Sequence, residues 1–338
     1  MIVISGTQYY SEGQQKLPFC FLKQYAEFEK ETHCDELLIV FSDDKKTLIP
    51  LKIHVAKGFK IGQLLHPPLH NNCRLNAMEE KIFLNELVFF IQKYKICDRI
   101  VQPANYAIFK AFPDKSIYTA FGTFFLDLEN NSEEKLFSKL HSKHRNNIRN
   151  ADRKGCQVEY GKLQIPVFYQ LYQQTMARSA MFCEPYNYFE RIYHKMNDSN
   201  CICAVVYFKN QPMGALLIPF TNYGAYYLFG ASAEIIYITG AINYLHWEVI
   251  KKLKSQGVKR YDFVGARLSN ISGTKLEGIQ KFKARFGAEL EKGYFWKLDI
   301  NKFKCFVFDS LLFLKLKLNR KSLLLDIVDQ ENKKIHHG

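Results

Sequence analysis

"KLEGIQKFKARFGAELEKGYFWKL", residues 275–298, changes its period halfway along. Up to Gly287 it reads as a helix: Phe282 and Phe286 are four residues apart and share a face, Lys281 and Arg285 share another, and Lys283 points elsewhere. Gly287 is the stop, and the residues after it read as a strand. Three cations at alternate positions beside two phenylalanines call for an anionic partner. The plainer reading is that the phenylalanines anchor the helix while the cations face water.

Upstream, "TGAINYLHWEVIKKLKSQG" is an amphipathic helix with Ile242, Leu245, Val249 and Leu253 on one side and Gly257 as its stop, and "KRYDFVGA" is the next strand. "CICAVVYF", "MGALLIPF" and "YGAYYLFGAS" read as three antiparallel strands on tight turns. Before them come a helix opening with Pro166, a second at "YNYFERIYHKM", the strand "CQVEY", and a helix from Ser132 to Lys154 closed by Gly155. A weaker version of the same order precedes this. "ELLIVF", "TLIPLKIHV" and "GFKIGQLL" form a meander, followed by a helix with Ile82, Phe83, Leu87, Phe90 and Ile91 at helical spacing. A short strand "DRIVQPAN", a short helix over Tyr106–Phe112 and the strand "YTAFGTFFLDL" complete it.

The 338 residues fit about two domains, and 47% apolar residues are enough for packed cores, which excludes a disordered chain. Nine cysteines without a C-x-x-C pair or zinc spacing are expected as free thiols in a cytoplasm. "MIVISGTQYYSEG" has no basic n-region and no long apolar run, so no secretion leader is expected. Residues 211–233 carry no charge, but Pro219, Asn222 and Gly224 interrupt them, so they read as strands and not as a membrane span. The net charge is +14, and residues 251–338 hold 20 Lys and Arg against 9 Asp and Glu. A field of that sign draws phosphates, nucleic acid or an anionic leaflet.

The run from "YYLFGAS" through "YDFVGA" and "KFKARFGAELEKGYFWKLDI" resembles the carboxy-terminal half of the FemABX-like proteins, and "FSKLHSKHRNNIRNADRKGCQVEYG" resembles the basic helix and strand that open that family's second domain. The resemblance spans roughly residues 120–300. It implies an α/β fold of two tandem GCN5-related acyltransferase-like domains, with mixed, mostly antiparallel sheets flanked by helices. The expected division is 1–119 for a divergent first domain, 120–300 for the second, and 301–338 for a basic amphipathic helix and a disordered tail. It also implies transfer of an aminoacyl or acyl group to an amine, as in joining amino acids to peptidoglycan precursors from aminoacyl-tRNA. The long helical hairpin that many such members use for tRNA contact has no counterpart here.

The resemblance places Phe282 and Lys283 at the border of the reactive centre, where an ammonium stabilises the oxyanion formed when an amine attacks an ester or thioester. Arg285 is a candidate substrate contact beside them. On the strand 259–266, Asp262 lies opposite Tyr261 and Phe263; it is expected either to orient the attacking amine or accept its proton, or to form an ion pair with Arg267 or Lys259. Tyr261 and Arg267 are candidate substrate contacts. On the helix 132–154, His141, Arg145, Arg149 and Arg153 recur every fourth residue, while Leu136, Leu140, His144, Ile148 and Ala151 form the packing face. Lys143, Arg145 and Arg149 are expected to grip a phosphate-linked acceptor, the alternative being a solvated basic face. The cations near 145 and 283 are expected to converge on a pocket between the two halves.

No metal and no tightly bound cofactor is expected. "GASAEIIYITGA" lacks the basic, glycine-rich turn that cradles coenzyme A, so aminoacyl-tRNA is the favoured donor and acyl-coenzyme A the lesser one. No G-x-S-x-G signature marks a covalent nucleophile. Expected partners are an anionic cell-envelope precursor, charged tRNA and the inner membrane surface, the last through a basic apolar stripe at 301–325 whose alternative role is packing on the first domain. Two other functions fit the residues: acyl-thioester-dependent N-acylation of a surface-polysaccharide amino sugar, and a noncatalytic basic module for nucleic acid or anionic lipid.

Overall fold

The structure is a computed structural model that describes residues 1–9, 13–269, 271–318 and 325–335. A twelve-stranded sheet forms its spine. In spatial order its main path is Ile2–Ser5, Glu36–Phe41, Thr47–Ala56, Phe59–Leu64, Arg99–Val101, Glu289–Asp299, Ile117–Asp127, Arg260–Asp262 and Ala225–Tyr226. A four-stranded antiparallel sheet holds Phe229–Ser232, Gln211–Pro219, Cys201–Phe208 and Gln157–Tyr160. Parallel pairing occurs between Phe59–Leu64 and Arg99–Val101 and between Ala225–Tyr226 and Arg260–Asp262. The fold is therefore α/β with mixed, mostly antiparallel sheets, as expected.

The strand read after Gly287 is the seam of the molecule. Glu289–Asp299 pairs with Ile117–Asp127 from Glu289↔Phe125 to Lys297↔Ile117, and its end pairs with Arg99–Val101 on the other side. It carries large side chains on both faces because both are covered. Trp296 is packed edge-on to Phe109 with ring centroids 5.7 Å apart, and Phe295 stacks on Phe121 at 4.0 Å. The expected domain division at 119/120 falls within the strand Ile117–Asp127.

Several local expectations give way to tertiary contacts. The segment 106–112 is not a helix; Phe109 instead exchanges backbone hydrogen bonds with Tyr294, at 3.3 and 2.8 Å. Gly293 allows this approach, since a Cβ there would lie 2.2 Å from the Phe109 carbonyl oxygen. In the helix Ala77–Tyr94 the buried stripe is Glu80, Phe83, Leu84, Leu87 and Ile91, leaving Ile82 exposed. "YGAYYLFGAS" breaks after Tyr226, where the chain leaves one sheet for the other. The tail is not disordered over 327–335: it is a helix with Val328 fully buried, and Lys297 bridges Asp326 at 3.3 Å and also pairs with Asp329. Residues 336–338 and the cations Arg320 and Lys321 lie outside the described residues.

The basic helix read over 132–154 is two helices, Glu133–Lys139 and Ser142–Arg153. Leu140 and His141 are extended between them; the His141 ring accepts the Lys143 N–H at 3.2 Å, and the His141 N–H donates to the Arg285 carbonyl at 2.9 Å. The packing face is the expected one, with Leu136, Leu140, His144, Ile148 and Ala151 buried. Ser132 caps the first helix by accepting the Lys135 N–H.

Candidate active site

Between the two halves lies a cavity of about 120 Å³ whose wall is charged. The first half contributes His66, Arg74, Tyr106, Ile108 and Lys110; the second contributes Thr123, Tyr223, Tyr226, Arg260, Asp262 and Glu291. Alternation on the short strand Arg260–Asp262 puts Arg260 and Asp262 on the cavity side and Tyr261 on the other. Tyr261 is wholly buried there, its hydroxyl 2.9 Å from Nδ1 of His246.

Asp262 is 2% exposed and is held from three directions: by the Thr123 hydroxyl at 2.5 Å, the Val264 N–H at 2.8 Å and Arg260 at 3.0 Å. Its ion pair is thus with Arg260, and not with Arg267 or Lys259. Arg260 also meets Glu291 at 2.7 Å, and Arg74 lies 3.6 Å from Glu291 and 3.8 Å from Glu80. Burial pushes the Glu291 carboxyl up, but Arg260 and Arg74 outweigh it and hold the group below the usual range. Behind Arg74, burial dominates at Glu80 and raises it, although its Oε1 accepts the N–H groups of Lys110 and Ala111 at 2.6 and 3.1 Å. A wall of interlocked opposite charges suits a polar, zwitterionic or amine-bearing ligand, because each pair can open toward it without leaving a charge bare.

Lys283 approaches this site from behind. It sits in the helix Lys275–Ala284, is 7% exposed, and donates to the carbonyls of Val264 and of Gly265, the latter at 2.7 Å. Burial pushes its ammonium down to about 8, with Asp262 pulling the other way. The loop it grips is strained: Val264 has φ +45°, a left-handed conformation that a β-branched residue rarely adopts, and Gly265 has φ +60°. Asp262 takes the loop's N–H and Lys283 its carbonyls, so the two side chains fix this turn from opposite sides.

Phe282 is wedged edge-on between His144 and His246, with ring centroids 5.3 and 5.5 Å away, and also contacts Phe286 at 5.2 Å. Burial holds both imidazoles neutral, His144 down to about 4 and His246 to about 3. These contacts, with the His141–Arg285 backbone bond, do bring the segments near 145 and 283 together. They join through rings and backbone, and the cations of the two segments do not share the cavity wall. Lys143 is exposed; Arg149 is exposed and lies over the Phe137 ring at 5.3 Å; Arg145 donates to the carbonyls of Ser138, at 3.0 Å, and Leu140. Arg267 is engaged with Glu331 at 3.1 Å and Gln330 at 2.5 Å. The half-buried Arg285 is not among the lining residues either.

The lining cations Arg74, Lys110 and Arg260 were not among the sequence candidates. Two signals pointed toward this network: Arg260 shares a strand face with Asp262, and Glu80 interrupts an otherwise apolar helix stripe. Arg74, in the two-residue strand Cys73–Arg74, carries no such signal.

Residues 114–210 match the FemAB family. A crystal structure of FemX superposes on 89% of this chain and 98% of its own with a TM-score of 0.66 at 14% identity. L-PGS from Bacillus licheniformis covers 77% of this chain and 83% of its own, with a TM-score of 0.47 at 12% identity. A tandem GNAT protein from the clavulanic acid biosynthesis pathway covers 79% and 83%, with a TM-score of 0.43 at 11% identity. No curated protein matches the chain. The resemblance to FemABX-like proteins therefore holds, and the fold is that of FemX.

Proposed function

We propose that this chain is an acyltransferase of the cell envelope, moving an aminoacyl or acyl group onto an amine of a phosphate-linked precursor in the cavity between its halves. The observation that carries this reading is the buried Asp262 carboxylate in the cavity wall, backed across one strained turn by the Lys283 ammonium. The acceptor nitrogen attacks the acyl carbonyl carbon, and the carbonyl electron pair moves onto oxygen. Collapse re-forms the C=O bond and expels the carrier's oxygen or sulfur, which leaves with a proton. Asp262 orients the amine or takes its proton; Lys283, which stands behind the turn and not in the cavity wall, stabilises the oxyanion after letting go of the Val264 and Gly265 carbonyls, and Phe282 fixes the backbone on which Lys283 stands. Lys143 and Arg149, exposed outside the cavity, are the cations placed to meet a phosphate-linked acceptor; Arg145 and Arg267 are held by other partners, Arg285 lies off the cavity wall, and the buried Tyr261 is held against His246.

Aminoacyl-tRNA is the favoured donor. What supports it is the turn leading into the helix Ala241–Ser255: Gly240, at φ +97°, is pressed so closely on the helix Ser142–Arg153 that a Cβ would lie 2.3 Å from the Asn147 carbonyl oxygen. Asn150 donates to the Thr239 carbonyl at 3.0 Å, so the turn is packed on that helix, and its own residues, "GASAEIIYITGA", offer no Lys or Arg to a diphosphate. The test is an intact-mass screen of amine acceptors with charged tRNA and acyl-coenzyme A supplied separately. A product with tRNA alone is expected. A product with the thioester alone replaces the donor assignment, and no product with either donor, over sugar-amine and peptide-amine acceptors, removes the transferase reading.

A further inference from the structure

The helix Lys302–Leu318, "KFKCFVFDSLLFLKLKL", is apolar on two opposite sides. One side packs. Cys305 is buried, Phe308, Leu312 and Leu316 are half-buried, and Phe308 stacks on Phe59 at 4.2 Å. Ion pairs Arg99–Asp309 at 2.7 Å and Lys304–Asp98 at 3.1 Å fasten the same side to the sheet. The expected packing on the first half is therefore present, but it uses only this stripe.

The other side faces outward. Phe303 is 76% exposed, Phe306 72%, Leu311 62%, Phe313 64%, Leu314 54% and Leu318 84%. At 3.6 residues per turn these six span an arc of about 160° centred opposite Cys305. With about 200 Å² per phenylalanine, the three rings alone expose roughly 400 Å², already within the range of the largest apolar patch on a typical monomer, about 300–600 Å². Exposed Lys302 borders the arc on one side and exposed Lys317 lies within it, while Lys304, on the other border, is held by Asp98. The single acidic residue of the helix, Asp309, is on the packed side, paired with Arg99.

We propose that this outward face docks on an anionic lipid bilayer, with the helix lying in the headgroup plane. Apolar residues beside the exposed Lys302 and Lys317 match such a surface, since rings and leucines enter the acyl boundary while lysine stems reach back to lipid phosphates. A helix of 17 residues spans about 26 Å and stays in the plane; no helix among the described residues is long and apolar enough to cross a membrane. A second copy seated on the same face would set lysine against lysine with no facing carboxylate. The proposal does not rest on the acyl-transfer reading.

The experiment is co-sedimentation of the full chain with phosphatidylcholine vesicles, with and without about one-third phosphatidylglycerol. Binding to the anionic vesicles is expected, weakened by salt, and reduced about tenfold or more in the double variant Phe306→Glu, Leu314→Glu. Both side chains are exposed, so the melting temperature should not move; Lys302→Gln with Lys317→Gln keeps the apolar face and should lower only the preference for anionic lipid. Failure to sediment with either vesicle overturns the proposal, as does undiminished binding by the glutamate variant. A solution dimer that the glutamate variant splits, without vesicle binding, assigns the face to a second copy instead.

Discussion

Replacing Lys283 by methionine separates its place in the fold from its place in the chemistry. The ammonium makes two hydrogen bonds to the carbonyls of Val264 and Gly265, and charge-assisted bonds of that kind are worth about 1.5–3 kcal/mol each. Against that, burial lowers the group from its ordinary 10.5 to about 8, so holding the charge there costs about 3 kcal/mol. The difference is about 0–3 kcal/mol, and methionine fills nearly the same volume, so stability should fall by no more than about 3 kcal/mol. Catalysis has no such offset: losing one donor to a developing oxyanion lowers kcat by about 10²–10³. Thermal melting and single-turnover acyl transfer, run on the same preparation, read the two effects separately. The charged form exists below about 8, so kcat/KM in the native enzyme should fall as pH rises through that value, and Lys283→Arg should carry activity to higher pH. A methionine variant that melts normally and turns over within a few-fold of the native chain would refute the oxyanion role and leave Lys283 as a clamp on the strained turn.

Three further outcomes are expected. Gly240→Ala adds a Cβ 2.3 Å from the Asn147 carbonyl oxygen at a φ of +97°, and should destabilise the chain by about 2–4 kcal/mol in urea titration; a loss below about 0.5 kcal/mol contradicts the tight contact between the two helices. His144 and His246 are held neutral in the fold at about 4 and about 3, so their contribution to stability is complete above about 6.5 and is lost as pH falls, at about 1.4 kcal/mol per pH unit for each. Urea midpoints that stay level between about pH 7 and 5 count against that burial. Arg149→Ala should leave the melting temperature within a degree or two, because the side chain is exposed, but raise KM for a phosphate-linked acceptor several-fold at constant kcat; an unchanged KM takes Arg149 out of the acceptor site.

The elements legible in the sequence were those whose pattern is local. The helix Ala241–Ser255, the hairpin Cys201–Pro219 and the strand after Gly287 announce themselves by period and by stops. Legibility ended where a distant backbone decides conformation. The Arg285 carbonyl takes the His141 N–H at the break in the basic helix, and Tyr294 holds Phe109 out of a helix. The site divides in the same way. Asp262 was a candidate because alternation on a strand fixes its side, and Lys283 because the family resemblance pointed to it. The Arg74–Glu291–Arg260 network was not, because its members meet across residues 74, 260 and 291, and no local period encodes such a meeting.

The position of Glu289–Asp299 has a consequence for biogenesis. The strand that fills the middle of the large sheet is made last, roughly 190 residues after Arg99–Val101, or on the order of 10–40 s later at about 5–20 residues per second of synthesis. Until it emerges, Arg99–Val101 and Ile117–Asp127 have no neighbour on the edges it will occupy. Such open edges recruit stray strands, which makes the nascent chain a client for holding factors and a poor candidate for expression as two separate halves. Threading one late ribbon between two earlier ones also joins the halves through continuous strand pairing, from Arg99–Val101 across Glu289–Asp299 to Ile117–Asp127.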